Sequence, residues 1–156
     1  MTLTQSTASN AAADETESSE LVAFRTEVRE WLEANAKRRR HDTSEFKRRV
    51  SVTHQSTEDE LAHVETCKAW QRKIYDAGYA GIAVPVEYGG RGGTPAQQRV
   101  FQTEAARYEI DTGVFSVGIA MVVPTLLAFG SEEQKREHLP AMLRGDRIWC
   151  QLFSEP

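Results

Sequence analysis

The chain is predicted to fold as an all-α protein, and three observations carry that expectation. Apolar residues recur at three- and four-residue steps along most of its 156 residues, the period of a helix with one buried face. Three Ser/Thr-x-x-Glu/Gln boxes, TEDE, TPAQ and SEEQ, mark helix starts. Only one short run of strand type is present, IWCQLF at the C-terminal end.

The elements follow in order. Leu21, Phe24, Val28, Trp31 and Leu32 lay an apolar stripe on a first helix. A second begins with Thr57 and Glu60 as its capping box and carries Leu61, Val64, Cys67, Trp70 and Ile74, with Gly78 suited to its C-terminal stop. A third opens with Thr94 as cap, Pro95 in the first helical position and Gln97 reaching back, and turns Phe101, Ala105 and Tyr108 inward.

The nineteen uncharged residues Thr112 to Gly130 form a fourth helix that Pro124 should kink or interrupt. A fifth starts at Ser131, with Gln134 completing its box, frays near Pro140 and ends around Gly145. Between the second and third helices, GYAGIAVPVEYGGRGG has six glycines and one proline in sixteen residues, so it is a loop, anchored by Ile82, Val84 and Val86.

Composition narrows the function classes. A net charge of −4 gives no reason to expect nucleic-acid binding. The seven basic residues between Lys37 and Arg49 lack interleaved aromatics and read as a solvated helix end and loop. The uncharged run has a length near that of a membrane span. Gly113, Gly118, Pro124 and the acidic SEEQKRE that follows favour a buried helix instead, with no span. Residues 1–20, with four acidic and no basic side chains, match neither a signal peptide nor a core segment and are expected to be a disordered tail. Cys67 and Cys150 show no metal or redox spacing and suit a reduced, cytoplasmic setting.

Motifs that carry chemistry are scarce. The GGRGG run lacks the spacing of a phosphate cradle. His41, His54, His63 and His138 lie far apart and read as solvated positions rather than metal ligands. Glu104 and Glu109 are an acid–base pair in one reading; with Arg107 beside them, a charged helix face is favoured.

Taken in order, GIAVPVEYGGRGG, the long apolar helix, AFGSEEQKREHLPAMLRGD and IWCQLFSEP resemble the N-terminal part of acyl-CoA dehydrogenases, from about Leu21 to Pro156. The resemblance implies a helical N-terminal domain over 21–147. It further implies that 148–156 is the first strand of a middle β-domain, which would be followed by a C-terminal four-helix bundle. A truncated or split product, or a piece needing a partner, is expected, since the family's catalytic carboxylate comes from that bundle. The family removes an α-proton from an acyl-CoA and passes the β-hydride to FAD, with an electron-transfer partner reoxidising the flavin.

Two site assignments follow from the resemblance. Gln151, Leu152, Phe153 and Ser154 match the segment that lies along the flavin, with the Ser154 hydroxyl near N5. Val114, Val117, Gly118 and Met121 share one face at i, i+3, i+4 and i+7, on the helix that borders the acyl chain in the family; core packing is the other reading of that face. Acyl-CoA is the implied substrate, and homo- or hetero-oligomers are expected. The alternative function is a non-enzymatic helical interaction module that binds a partner where the β-domain would pack.

Overall fold

The computed structural model describes residues 18–39 and 56–152. Most of the expected N-terminal tail, most of the basic run, His41 and His54, and the end of the chain from Phe153 lie outside the described residues. The described residues form five α-helices: α1 (Ser19–Asn35), α2 (Thr57–Asp76), α3 (Pro95–Ala105), α4 (Val123–Phe129) and α5 (Glu132–Arg144). Single turns of tighter 3-10 helix occupy Val86–Tyr88 and Gly113–Phe115, and a wider π turn occupies Gly118–Val122.

Helix starts are set by side-chain chemistry. At α3, Thr94 Oγ1 accepts the Gln97 N–H at 3.2 Å and Gln97 Oε1 accepts the Thr94 N–H at 2.8 Å. Ser131 and Gln134 repeat the exchange at α5. Helix α2 also has a reciprocal box, but one residue earlier than expected: Ser56 caps and Asp59 reaches back, at 3.2 and 3.3 Å. The shorter Asp side chain closes the box as well as Glu does, and the Ser56 and Thr57 frames overlap in sequence. Helix α1 begins at Ser19 behind the Ser18 cap, so the expected tail ends slightly sooner.

The core gathers Phe24, Val28 and Leu32 of α1, Ile74 of α2, Val100 and Phe101 of α3, and Leu139, Met142 and Leu143 of α5. Helix α5 is its centre, packing on α2, α4, the π turn and the Val86–Tyr88 turn. It does not fray at Pro140. Proline in a helix interior costs about 3 kcal/mol, and the three fully buried side chains that flank it, each worth roughly 1.5–3 kcal/mol, outweigh that cost. The helix runs on to Arg144 and closes on Gly145, at φ 83°.

The loop of residues 78–93 is held by its own backbone: Arg91 N–H donates to Gly81 O, Gly92 N–H to Val84 O and Gly93 N–H to Ile82 O, at 2.7–2.9 Å. Ile82 and Val84 are buried, as expected, whereas Val86 is 70% exposed. The alternation assumed for an extended loop breaks at the Val86–Tyr88 turn.

Residues 112–130 do not form one continuous helix. They divide into the 3-10 turn, the π turn and α4, with Pro124 in the first turn of α4. No helix among the described residues is long and apolar enough to cross a membrane. At the end of the chain, Trp149 turns back onto the core and meets His138 edge-on at 5.4 Å. Cys150 and Leu152 remain exposed, and residues 148–152 pair with no strand.

Glu104 overturns the charged-face reading. It is 1% exposed and clamped by three arginines. Arg25 donates to Oε1 at 2.8 Å, Arg29 to both oxygens at 2.9 and 3.0 Å, and Arg107 to Oε2 at 2.9 Å. The bond from Arg29 is the largest influence on the carboxyl and holds it below its ordinary range. Glu109, by contrast, makes a surface pair with Lys37.

A carboxyl with a lowered folded-state pKa stabilises the fold above its unfolded pKa, about 4.3, and that contribution is lost as the pH falls through the folded value. Glu104→Gln should therefore cost about 2–4 kcal/mol at pH 7, less than a fully buried pair because the arginines reach water. It should also flatten the acid limb of the stability curve. Denaturant unfolding at pH 7 and between pH 5 and 2 checks both; an unchanged acid limb would contradict the assignment.

Candidate functional site

An apolar groove of about 580 Å³ is formed among the described residues. One wall is the segment from Phe115 to Leu127, which presents Phe115, Ser116, Ile119, Ala120, Val123 and Leu127. The facing wall is α3, through Gln98, Phe101 and Gln102, and the floor is Ile74, Tyr79 and Leu143 with the Ala80–Val84 loop.

The Phe115 wall advances in steps of four: 115, 119, 123, 127, and beside it 116, 120, 124. A regular α-helix would carry such a row steadily around its axis, because each turn takes 3.6 residues. The π turn corrects this. Its hydrogen bonds span five residues, as in Val123 N–H to Gly118 O, so four residues there fall short of a turn and the row swings back. The π turn also leads into Pro124, which has no N–H to donate. The Met121 carbonyl, which lies inside the π turn, accepts from Thr125 Oγ1 at 2.7 Å.

Polar groups near the groove are directed away from it or are uncharged. Tyr79 stacks on Phe101 at 5.0 Å and 13° while its hydroxyl donates to Glu27 at 2.8 Å. Burial, and then that bond to Glu27, push the Tyr79 phenol up to about 12, so it stays neutral. Glu27 is gripped by Arg91 at 2.9 and 3.1 Å and held below its ordinary range. Gln71 spends its amide on Leu143 O at 2.7 Å. Among the described residues, no carboxylate, histidine or lysine lines the groove. It can bind an apolar group by removing it from water, and none of its lining side chains can act as a base towards that group.

The residues expected to border an acyl chain do not line this groove. Val114 and Val117 are half-buried, Met121 is 47% exposed and Gly118 is buried, facing Met142 and Trp149; none of the four lines the groove. Their i, i+3, i+4, i+7 relation presumes an unbroken α-helix, which the π turn removes. The four-residue steps from Phe115 to Leu127 were the available signal. Of the residues expected along a flavin, Gln151 and Leu152 are exposed, and Phe153 and Ser154 lie outside the described residues. No buried side-chain nitrogen or oxygen among the described residues lacks a partner.

Comparison with known proteins fits this geometry. Residues 18–146 match the family model of the acyl-CoA dehydrogenase N-terminal domain, and the chain belongs to the acyl-CoA dehydrogenase family. It is 34% identical over 137 residues to the acyl-CoA dehydrogenase IpdE1 of Mycolicibacterium smegmatis, a match covering 88% of this chain and 33% of that protein. FadE29 of Mycobacterium tuberculosis is 33% identical over 111 residues, covering 71% of this chain and 28% of that protein. Among solved structures, the ChsE4-ChsE5 complex from Mycobacterium tuberculosis aligns with TM-score 0.54 and 26% identity, covering 84% of this chain and 29% of that one. The Tcur3481-Tcur3483 steroid ACAD aligns with TM-score 0.57 and 26% identity, covering 85% and 30%. The chain thus spans about a third of the length of the relatives it matches.

The floor of the groove depends on one close approach. A Cβ on Gly90 would sit 2.1 Å from the Val84 carbonyl oxygen, whereas one on Gly118 would meet Met142 at an ordinary 3.5 Å. Gly90→Ala should therefore destabilise the fold by about 1–3 kcal/mol through forced backbone movement. Gly118→Ala should be neutral or slightly stabilising. Thermal unfolding of the two variants checks the contrast, and equal effects would contradict it.

Proposed function

We propose that this chain forms the helical wall of the acyl site in an FAD-dependent acyl-CoA dehydrogenase, an enzyme that introduces an α,β double bond into an acyl-CoA thioester. The observation that carries the reading is the uncharged groove between α3 and the Phe115–Leu127 segment. Each methylene buried there is worth about 0.8 kcal/mol, so a long or bulky apolar acyl group gains most. The steroid ACAD among the structural neighbours supports the bulky end of that range. Acyl contact is thereby assigned to Phe115, Ile119, Ala120, Val123 and Leu127.

The other parts of the site come from elsewhere. In this reading the α-proton is removed by a base on another part of the enzyme, in keeping with the lack of a carboxylate among the described lining residues, and these 156 residues by themselves do not turn over acyl-CoA. FAD and a partner that accepts its electrons belong to the assembled enzyme, placed in the cytoplasm. The exposed apolar side chains of Phe129 and Leu152, 87% and 89% exposed, provide surface for the remaining domains or for another subunit. The same exposure suits a non-enzymatic interaction module, and flavin absorbance in the assembled complex separates the two.

The test uses the chain assembled with polypeptides that carry the middle β-domain and C-terminal bundle. Ala120→Trp should fill the groove and raise the KM for a long-chain or polycyclic acyl-CoA at least about tenfold. Met121→Trp, on the neighbouring face, should stay within about twofold of the parent. The reverse pattern would move the acyl group to the face of Val114, Val117, Gly118 and Met121.

A further inference from the structure

Away from the groove, Cys67 sits in surroundings unlike those of a packing cysteine. It is fully buried yet stands apart from the hydrophobic core, and its sulfur faces polar atoms. His63, one helical turn earlier on α2, places Nε2 3.4 Å from Cys67 Sγ. Asp111 places Oδ1 3.5 Å from the same sulfur and Oδ2 2.9 Å from His63 Nε2. All three donor atoms lie within 4.8 Å of one another. Spacing within α2 joins only His63 and Cys67; the fold brings in Asp111 from 44 residues further along the chain.

We propose that His63, Cys67 and Asp111 form a binding site for a divalent transition-metal ion of the zinc class, with solvent as fourth ligand. Donor chemistry is the first support. Thiolate, imidazole and carboxylate together suit zinc and cobalt better than magnesium or calcium, which select oxygen. Geometry is the second. Tetrahedral zinc with bonds of about 2.0–2.3 Å holds its ligand atoms roughly 3.3–3.6 Å apart. The 3.4 Å between Cys67 Sγ and His63 Nε2 already meets that; Asp111 turns Oδ1 to the sulfur and Oδ2 to the imidazole, so its carboxylate must rotate to bring one oxygen to the ion.

The surroundings are the third support. Asp111 Oδ1 accepts the Gly113 N–H at 3.1 Å, which fixes the carboxylate's direction. The nearby backbone N–H groups of Val114 and Gly113 oppose the effect of burial on the Cys67 thiol. Burial raises the Cys67 thiol above its ordinary range, so it is no standing nucleophile. Its proton passes to solvent as the sulfur–metal bond forms. His63 and Asp111 are about half exposed, which gives the ion an entry path.

The consequence is mechanical. Asp111 lies two residues before the Gly113–Phe115 turn, and Gly113, Phe115 and Ser116 line the groove. An ion at this site joins α2 to the start of the groove wall. The site itself is independent of what the groove binds.

Cobalt(II) titration of the untagged 156-residue chain tests the proposal directly. One equivalent should bind, with the near-ultraviolet sulfur-to-cobalt band and the visible bands of a tetrahedral site, and zinc should displace it. Cys67→Ser should abolish the sulfur band. His63→Gln and Asp111→Asn, both at exposed positions, should each weaken binding at least about tenfold with helical circular dichroism intact. Cys150→Ser should change nothing. Absence of binding at millimolar cobalt, a band that survives in Cys67→Ser or one that disappears in Cys150→Ser would overturn the site. Should Cys67→Ser fail to fold, unchanged affinity in the His63 and Asp111 variants would overturn it as well.

Discussion

The burial of Glu104 is the constraint on which the rest of the domain depends. A carboxylate that leaves water must be paired, and Glu104 meets that requirement with two arginines from α1 and one from just beyond α3. The bidentate grip of Arg29 fixes distance and rotation together. With α3 locked against α1, Phe101, one turn before Glu104, is set against Tyr79. One wall and part of the floor of the groove follow from that single placement. The chain segments that leave α1 and α3 are tied as well, by the Arg39–Arg107 and Glu109–Lys37 backbone bonds at 2.8 Å.

The opposite wall has a different origin. Glycine removes side-chain bulk where the loop of residues 78–93 crosses itself, and at Gly81 a Cβ would lie 2.7 Å from Leu143. The loop can thus lie directly on α5. The π turn then redirects the following segment so that a four-residue row of side chains faces α3. A stretch with no charge and a proline at its centre becomes a groove wall because its hydrogen-bonding pattern changes partway along. Irregular backbone of this kind is concentrated at functional sites, and here it borders the cavity assigned to the acyl group.

Local chemistry was legible in the sequence and long-range chemistry was not. The α3 start was readable down to its atoms, because Thr94, Pro95 and Gln97 act within one turn. The all-α class and the apolar stripe of Phe24, Val28 and Leu32 followed from periodicity. The burial of Glu104 was hidden, since Arg25 and Arg29 lie 79 and 75 residues away and only Arg107 is near in sequence. The i, i+4 relation of His63 and Cys67 was readable but passed over, and it gains meaning only when Asp111 arrives from another segment. Between Gly113 and Leu127 the groove-lining row was hidden because a 3.6-residue period does not describe the wider π turn that the chain adopts there.

The central claim is that the acyl group lies against the row from Phe115 to Leu127. Photolabelling the assembled enzyme with an acyl-CoA that carries a diazirine at the end of its acyl chain tests this most directly, with the modified residues located by mass spectrometry. The account predicts labels on Ile119, Ala120, Val123 or Leu127 and on the facing Phe101. Labels confined to Val117 and Met121, or an absence of label anywhere in this chain, would contradict it.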